Sequence, residues 1–354
     1  IDKRVIPGAV YWIERKGQTI HGAIGNRAVV PGKEAISEDT IFDLASLTKV
    51  VATTPSVMLL VEQEKIRLDA PVKEYISEFT GEGRGRITVR ELMTHLSGMK
   101  PDLSVRPAWS GYDTAIRMIC ATAPDHPPEE HFRYSDINFI LLGEIVRRVS
   151  GEPLDIFARK HVFEPLGMKD TTFNPNTNLC PRIAPTERDE NGIMLRGVVH
   201  DPTARRMGGV AGHAGLFSTA ADLARYGRMM IQQGELDGVR LFKRETVWLM
   251  TSVQTPPAMT SRRGLGWDID SGFSRPRGTL FPLGSFGHTG FTGTCLWMDP
   301  YSQTFFVCLT SRLHATNPKT DSRTVYDEMG TQAAECVQSF DFMNVPDALA
   351  IAPK

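Results

Sequence analysis

Residues 42–54 read FDLASLTKVVATT, a run apolar enough to be buried that nevertheless carries a serine and, three positions on, a lysine. Leu47, Val50, Val51, Met58 and Val61 follow helical spacing. They predict a helix from about Ser46 toward Glu64, with Pro55 as a kink. Ser46, Lys49, Thr53 and Ser56 form a single polar stripe on it. A serine in a first helical turn lies beside unpaired backbone N–H groups and the positive end of the helix dipole. An oxyanion produced by acyl transfer is stabilised in such a place. Lys49, one turn on, is within reach of the hydroxyl. Burial disfavours its charge, and a neutral or hydrogen-bonded amine can help remove the serine proton. Taken alone, the pattern is short and reads first as an N-cap serine beside a snorkelling lysine.

The rest of the chain sets the context. Its 354 residues with a formal net charge of −1 suffice for one large domain or two closely packed ones. The charge pattern gives no basic block for nucleic acid and no acidic tail. Apolar runs such as INFILLGEIV are too short to span a bilayer. The chain opens at Ile1, so a processed or truncated N-terminus is expected, and a removed export signal stays open. The five cysteines are scattered singly without a CxxC pair. They read as small buried residues with at most one disulfide, and give no support to a metal site or a cysteine nucleophile.

Elements follow from local signals. GAVYWIERKGQTIHGAIGN predicts a hairpin turning at Lys16-Gly17. In ITVRELMTHLSG, Thr88 and Glu91 form a capping box with Gly98 near the stop. DINFILLGEIVRRVSG is an apolar helix closed by Gly151, and STAADLARYGRMMIQQG opens on a second capping box, Thr219 with Asp222, and ends at Gly234. GLGWDID, GTCLWMDP and QTFFVCLTS are strands, followed by a last helix in SRTVYDEMGTQAAECVQSF. Strands at both ends around a helical middle predict one sheet completed from both termini.

Two more pieces bear on Ser46 and Lys49. FRYSDINF places Tyr134, Ser135 and Asp136 before the apolar helix, and FGHTGFTGTCLWMDP places His288, Thr289 and Gly290 at a strand. In this order the three pieces resemble the S-x-x-K, Y-x-N and K/H-T-G motifs of the serine β-lactamase and penicillin-binding protein family. LMTHLSGM, FEPLGMKDTTF and GGVAGHAGLFSTAADLARY extend the resemblance over nearly the whole chain, toward the class C-like branch. That branch includes D-Ala-D-Ala carboxypeptidases, D-aminopeptidases and family VIII carboxylesterases.

The resemblance implies an α/β (α+β) fold, a sandwich of an antiparallel sheet with flanking helices beside an all-α region. It divides the chain into an α/β part over about 1–70 and 260–354 and a helical region over about 71–259. It makes Ser46 the nucleophile, Lys49 its proton acceptor or the cation that keeps Tyr134 deprotonated, and Tyr134 the proton shuttle. The backbone N–H groups of Ser46 and Phe291 become the oxyanion hole. Asp136, Asn138, His288, Thr289 and Gly290 become substrate-binding residues, with Gly290 letting substrate approach the strand. No cofactor or metal is implied. The partners are a small-molecule or peptide substrate and a covalent β-lactam adduct. Family habit implies a bacterial periplasmic or secreted protein, although no signal is visible and a cytoplasmic location stays open.

Two departures matter. Asp136 stands where the pattern has asparagine, and an ionised carboxylate only accepts hydrogen bonds; it can hold Lys49 or select an amine-bearing substrate, with Asn138 as an alternative amide. His288 replaces a lysine and attracts a substrate carboxylate less strongly when neutral. Both argue against an efficient β-lactamase and toward a peptidase or esterase. The absence of G-x-S-x-G disfavours an α/β-hydrolase. His200, Asp201 and His213 suggest a metal, but their spacing fits no compact zinc motif. Gly208, Gly209, Gly212 and Gly215 shape a tight turn lining the groove. His95 reads as structural, and Trp109, Phe291 and Trp297 as either groove wall or core. The competing class is a non-catalytic penicillin-binding sensor, for which the trio Ser46, Lys49 and Tyr134 would be needless.

Overall fold

The computed structural model describes residues 6–314, 324–337, 339–342 and 344–345. The hairpin forms as its turn chemistry requires: Lys16 and Gly17 both take positive φ, 49° and 81°, between the strands Gly8–Arg15 and Gln18–Ala28. The first strand then pairs antiparallel with Thr304–Thr310, from Ala9 opposite Thr310 to Arg15 opposite Thr304. Beyond it lie Thr294–Asp299, Phe286–Gly290, Asp268–Asp270 and Arg262–Arg263 in turn, while Glu34–Ala35 closes the other edge of the eight-stranded sheet. Both ends of the chain thus complete one antiparallel sheet.

Side-chain alternation assigns the two faces. Leu296, Met298, Phe305, Val307 and Leu309 enter the main core, whereas Cys295, Trp297, Phe306 and Cys308 face a second core with Tyr326, Ala333 and Ala334 of the helix Thr324–Glu335. Trp297 therefore lies on the far side of the sheet, where its indole N–H donates to Ser285 Oγ, and not in a substrate groove. On the main-core side, Gly227 of the helix Ala220–Ile231 leaves room for the Phe305 ring, 2.9 Å from where a Cβ would stand. Next to it the buried Glu14 accepts two hydrogen bonds from Arg228, both at 2.6 Å. The described cysteines are all free; Cys120, Cys295 and Cys308 are buried.

Between the outer strands the chain is mostly helical. Asp136–Ser150 buries every residue from Ile137 to Val146 and ends on Gly151 at φ 77°. Thr88 and Glu91 make both bonds of their capping box, but that helix stops at His95, which takes the left-handed conformation, three residues before Gly98. Thr219 caps its helix through the Asp222 N–H only, because Asp222 Oδ2 instead accepts from Asp170 N and Thr171 Oγ1. The last turns at Gln233 and Gly234 also have positive φ.

The helix after Ser46 departs most from expectation. Ser46 sits in a turn just before it, residues 49–53 form a π-turn, and an α-helix runs over Thr54–Glu62 with Pro55 in its first turn. Proline has no N–H to give to an i−4 carbonyl, and here it falls in the first turn of the α-helix, directly after the wider π-turn. A three-stranded sheet that the sequence did not predict pairs Phe42 with Ser218 and Thr172 with Phe217. It anchors the chain immediately ahead of Ser46.

Candidate active site

Ser46 lines a cavity of about 350 Å³ together with Tyr134, His288, Thr289, Gly290 and Phe291. Two clasps set its position. Leu44 N donates to Leu216 O at 2.9 Å, and on the other side the hydroxyls of Thr292 and Thr294 donate to the carbonyls of Asp43 and Leu44, at 2.7 and 3.1 Å. Gly290 is needed for the second clasp: a Cβ there would stand 2.4 Å from Leu44 O and 2.1 Å from Thr294 Oγ1. The strand thus approaches the nucleophile segment closely at Gly290, which also lines the cavity. Among the described residues neither the Ser46 nor the Phe291 backbone N–H has an acceptor, so both remain available to an oxygen in the cavity.

Behind Ser46, Lys49 is fully buried. Its Nζ donates to Ser46 Oγ at 2.9 Å and to the His213 carbonyl at 3.1 Å, and lies 2.7 Å from Asp136 Oδ1. Burial pushes the lysine pKa down, but the charges of Asp136 and then Tyr134 outweigh it, and the pKa is raised. The ammonium form of Lys49 is therefore favoured, with Ser46 Oγ and the His213 carbonyl as its acceptors and Asp136 as its charge partner. Of the two states the sequence left open, the neutral amine is the one this environment opposes. The Nζ also stands 4.9 Å from the centre of the Tyr134 ring.

Tyr134 is held by rings. His95 lies 4.4 Å away, Phe273 5.2 Å and His288 6.0 Å, centre to centre. His95 Nδ1 accepts the Ser135 N–H at 3.1 Å, which leaves the proton of a neutral ring on Nε2. Burial, then the nearby Arg263, Lys49 and His288, hold the His95 pKa well below its ordinary value. His288 is neutral for similar reasons: burial first, then Arg263 and Lys49. Its Nδ1 is 2.8 Å from the Thr289 carbonyl and so carries the hydrogen.

Not every expected residue joins the cavity. Asn138 is completely buried, its Oδ1 accepts from Ser97 Oγ at 2.6 Å, and it lies outside the cavity lining. Asp136 is turned onto Lys49. Trp109 donates its indole N–H to Ser104 O and lies outside the lining. The glycine-rich turn packs behind the lysine: a Cβ on Gly212 would stand 1.9 Å from Phe139 O, and Thr53 Oγ1 donates to the Gly212 carbonyl. His200, Asp201 and His213 do not converge, since His200 Nε2 contacts Glu187 whereas His213 Nε2 contacts Asp201.

The structure adds Phe273, Arg275, Arg312 and Tyr326 to the lining. Arg312 Nε donates to the Phe291 carbonyl at 2.6 Å, and its guanidinium lies 4.7 Å from the centre of the exposed Phe291 ring. Arg275 lies 3.6 Å from Asp327. Sequence alone carried no signal for these four, which come from separate loops and the last helix.

A sequence profile described as Beta-lactamase matches residues 1–328. Among curated proteins, one from Escherichia coli named "Putative D-alanyl-D-alanine carboxypeptidase" is 33% identical over 308 residues, 78% of this chain and 70% of that protein. Among solved structures, a class C beta lactamase from Rhodobacter sphaeroides superposes with a TM-score of 0.73 at 20% identity, covering 94% of this chain and 96% of the other. EstCE1, described as a hydrolase with promiscuous acyltransferase activity, gives a TM-score of 0.72 at 21% identity, covering 94% and 97%.

Proposed function

This chain belongs to the beta-lactamase family, and from that premise we propose that it is a serine hydrolase working through an acyl-enzyme on Ser46. The observation that carries the reading is the 2.9 Å bond from the Lys49 ammonium to Ser46 Oγ at the wall of the cavity. An ammonium has no lone pair with which to take a proton, so the base is Tyr134, beside which Lys49 supplies a compensating positive charge. Ser46 Oγ attacks the substrate carbonyl carbon and its proton passes to the Tyr134 oxygen. The tetrahedral oxygen receives the N–H groups of Ser46 and Phe291. Collapse breaks the bond to the leaving group, which takes the proton from Tyr134. Water then repeats the sequence on the acyl-enzyme and releases the acid.

The substrate class that fits best is a peptide with a free terminal carboxylate. Arg275 and Arg312 bring guanidinium groups to the cavity, and these suit carboxylates, while neutral His288 adds no charge. The name of the Escherichia coli relative agrees with this class. A cell-wall peptide substrate would require export. Phe273, Phe291 and Tyr326 favour a second reading, a small ester with an apolar acyl or alcohol group.

Intact-protein mass spectrometry tests the proposal, after incubation with a fluorescent penicillin and separately with a fluorophosphonate. One adduct per chain that disappears in Ser46→Ala is expected. No adduct with either reagent overturns the enzyme reading in favour of a binding module.

A further inference from the structure

Behind Lys49 lies a second charge pair that the chemistry above does not use. His213 is 1% exposed, and its Nε2 is 2.9 Å from Asp201 Oδ1. Its own backbone carbonyl is the acceptor for Lys49 Nζ. Ring and carbonyl belong to one residue, so whatever fixes the ring also fixes the oxygen that meets the ammonium. Asp201 is fixed in turn, because the same Oδ1 caps the short helix Pro202–Arg206 by accepting the Ala204 N–H at 2.7 Å. From the other side, Thr53 Oγ1 grips the neighbouring Gly212 carbonyl at 2.6 Å.

We propose that Asp201 and His213 form a positioning dyad for Lys49, holding the His213 carbonyl on the ammonium and thereby aiming Lys49 at Ser46. This rests on the reading of Ser46 and Lys49 given above. Asp136, Asp201 and His213 also lie close enough to suggest a cation site. However, the Asp136 oxygen is taken by Lys49 and the Asp201 oxygen by His213 and a helix N–H. The dyad uses the same atoms without an ion.

The charged groups facing His213 are Asp201, Asp136, Lys49 and Asp102. Burial pulls the imidazole pKa down, but Asp201 and Asp136 overcome this and raise it. The two carboxylates thus favour the protonated ring, and that charge is matched by the carboxylate of Asp201.

Asp201→Asn separates positioning from folding. Asparagine caps helices as well as aspartate and its carbonyl still accepts from the ring, so chiefly the charge is removed. With a p-nitrophenyl ester, we expect kcat to fall about ten-fold or more, equivalent to about 1.4 kcal/mol, and KM to stay within about two-fold. The alkaline limb should move to lower pH, as His213 loses its proton earlier, and Asp201→Glu should restore it. A second readout needs no chemistry: in selectively 15N-lysine-labelled protein, the exchange-protected Lys49 ammonium signal should broaden or vanish in Asp201→Asn.

Unchanged rate, pH limb and ammonium signal overturn the proposal. So does a rate loss that accompanies a lowered melting temperature while the pH limb and the ammonium signal stay as in wild type, because that is a structural defect. If Asp201→Asn does not fold, Asp201→Glu is read alone, and a wild-type limb and signal are then expected. If the wild type neither turns over ester nor labels at Ser46, the reading of Ser46 falls, and the ammonium signal alone decides for or against the dyad.

Discussion

Asp136 Oδ1 stands 2.7 Å from Lys49 Nζ, and this contact decides which form of the lysine the site contains. Without the carboxylate, burial would act against the ammonium with only Tyr134 and more distant groups to oppose it. Asp136→Asn is therefore expected to lower the lysine pKa. The alkaline limb of ester hydrolysis should move down with it, because the cation beside Tyr134 is lost sooner. A pH–rate profile checks this. A rate increase at neutral pH would instead identify the uncharged lysine as the base.

Gly290→Ala tests the clasp between strand and nucleophile segment. The added methyl group meets the Leu44 carbonyl and Thr294 Oγ1, so one of them must yield. A loss of about 1–3 kcal/mol of stability is expected, read by urea unfolding. Labelling of Ser46 by a fluorophosphonate should slow further than stability alone explains, since the segment ahead of the serine is displaced.

His95→Ala removes the acceptor for the buried Ser135 N–H and the ring against Tyr134. An unsatisfied buried donor costs about 1–3 kcal/mol. The expected result is a lower melting temperature together with a reduced kcat, as Tyr134 loses its support. A variant with unaltered kcat would show that Phe273 and His288 suffice to hold the phenol.

Acid should destabilise the fold through its neutral histidines. In His95 and His288 the folded pKa lies below the ordinary value of 6.5, so below that pH the unfolded chain binds more protons than the folded one. Stability is complete above about pH 6.5 and declines as pH falls, by up to about 1.4 kcal/mol per pH unit for each ring. His213 has the opposite sign: its raised pKa adds stability that is present below 6.5 and lost as pH rises through the folded value. Urea midpoints between pH 5 and 8 should therefore rise first. Replacing His95 should flatten the acid side.

Glu14→Gln should act on stability alone. It breaks a paired contact with Arg228 at the sheet face, at a cost of about 3 kcal/mol given that Arg228 is a quarter exposed. Ester kcat and KM should not change, because the pair lies outside the cavity lining.

Much of the fold was legible because its signals are local or periodic. Lys16-Gly17 fixes a hairpin by its own backbone preferences, whereas Cys295, Leu296, Trp297 and Met298 are all apolar, so their division between two faces came only from the structure. The π-turn at Lys49–Thr53 and the pairing of Phe42 with Ser218 were not legible, since both depend on partners distant in the sequence. The site shows the same division. Ser46, Lys49 and Tyr134 were singled out by motif, and the structure brings them together. The state of Lys49 depends on where Asp136 points, which the letters Y-S-D do not specify. Arg275, Arg312 and Tyr326 reach the cavity only through tertiary packing, and no spacing rule would have selected them. Asn138 was selected by nearness to Asp136 in sequence, but on a helix that nearness turns it to a different face.

The pairing of Gly8–Arg15 with Thr304–Thr310 has a consequence for the order of events during synthesis. The first strand emerges from the ribosome nearly 300 residues before its partner, an interval of roughly 15–60 s at ordinary elongation rates. Over that interval one edge of the early hairpin is an unfilled template for pairing. The clasp at Gly290 and Thr294 also belongs to the late portion of the chain, so Ser46 cannot be fixed beside Phe291 until that portion has arrived. Appearance of Ser46 reactivity on a nascent chain would therefore serve as a clock for closure of the sheet.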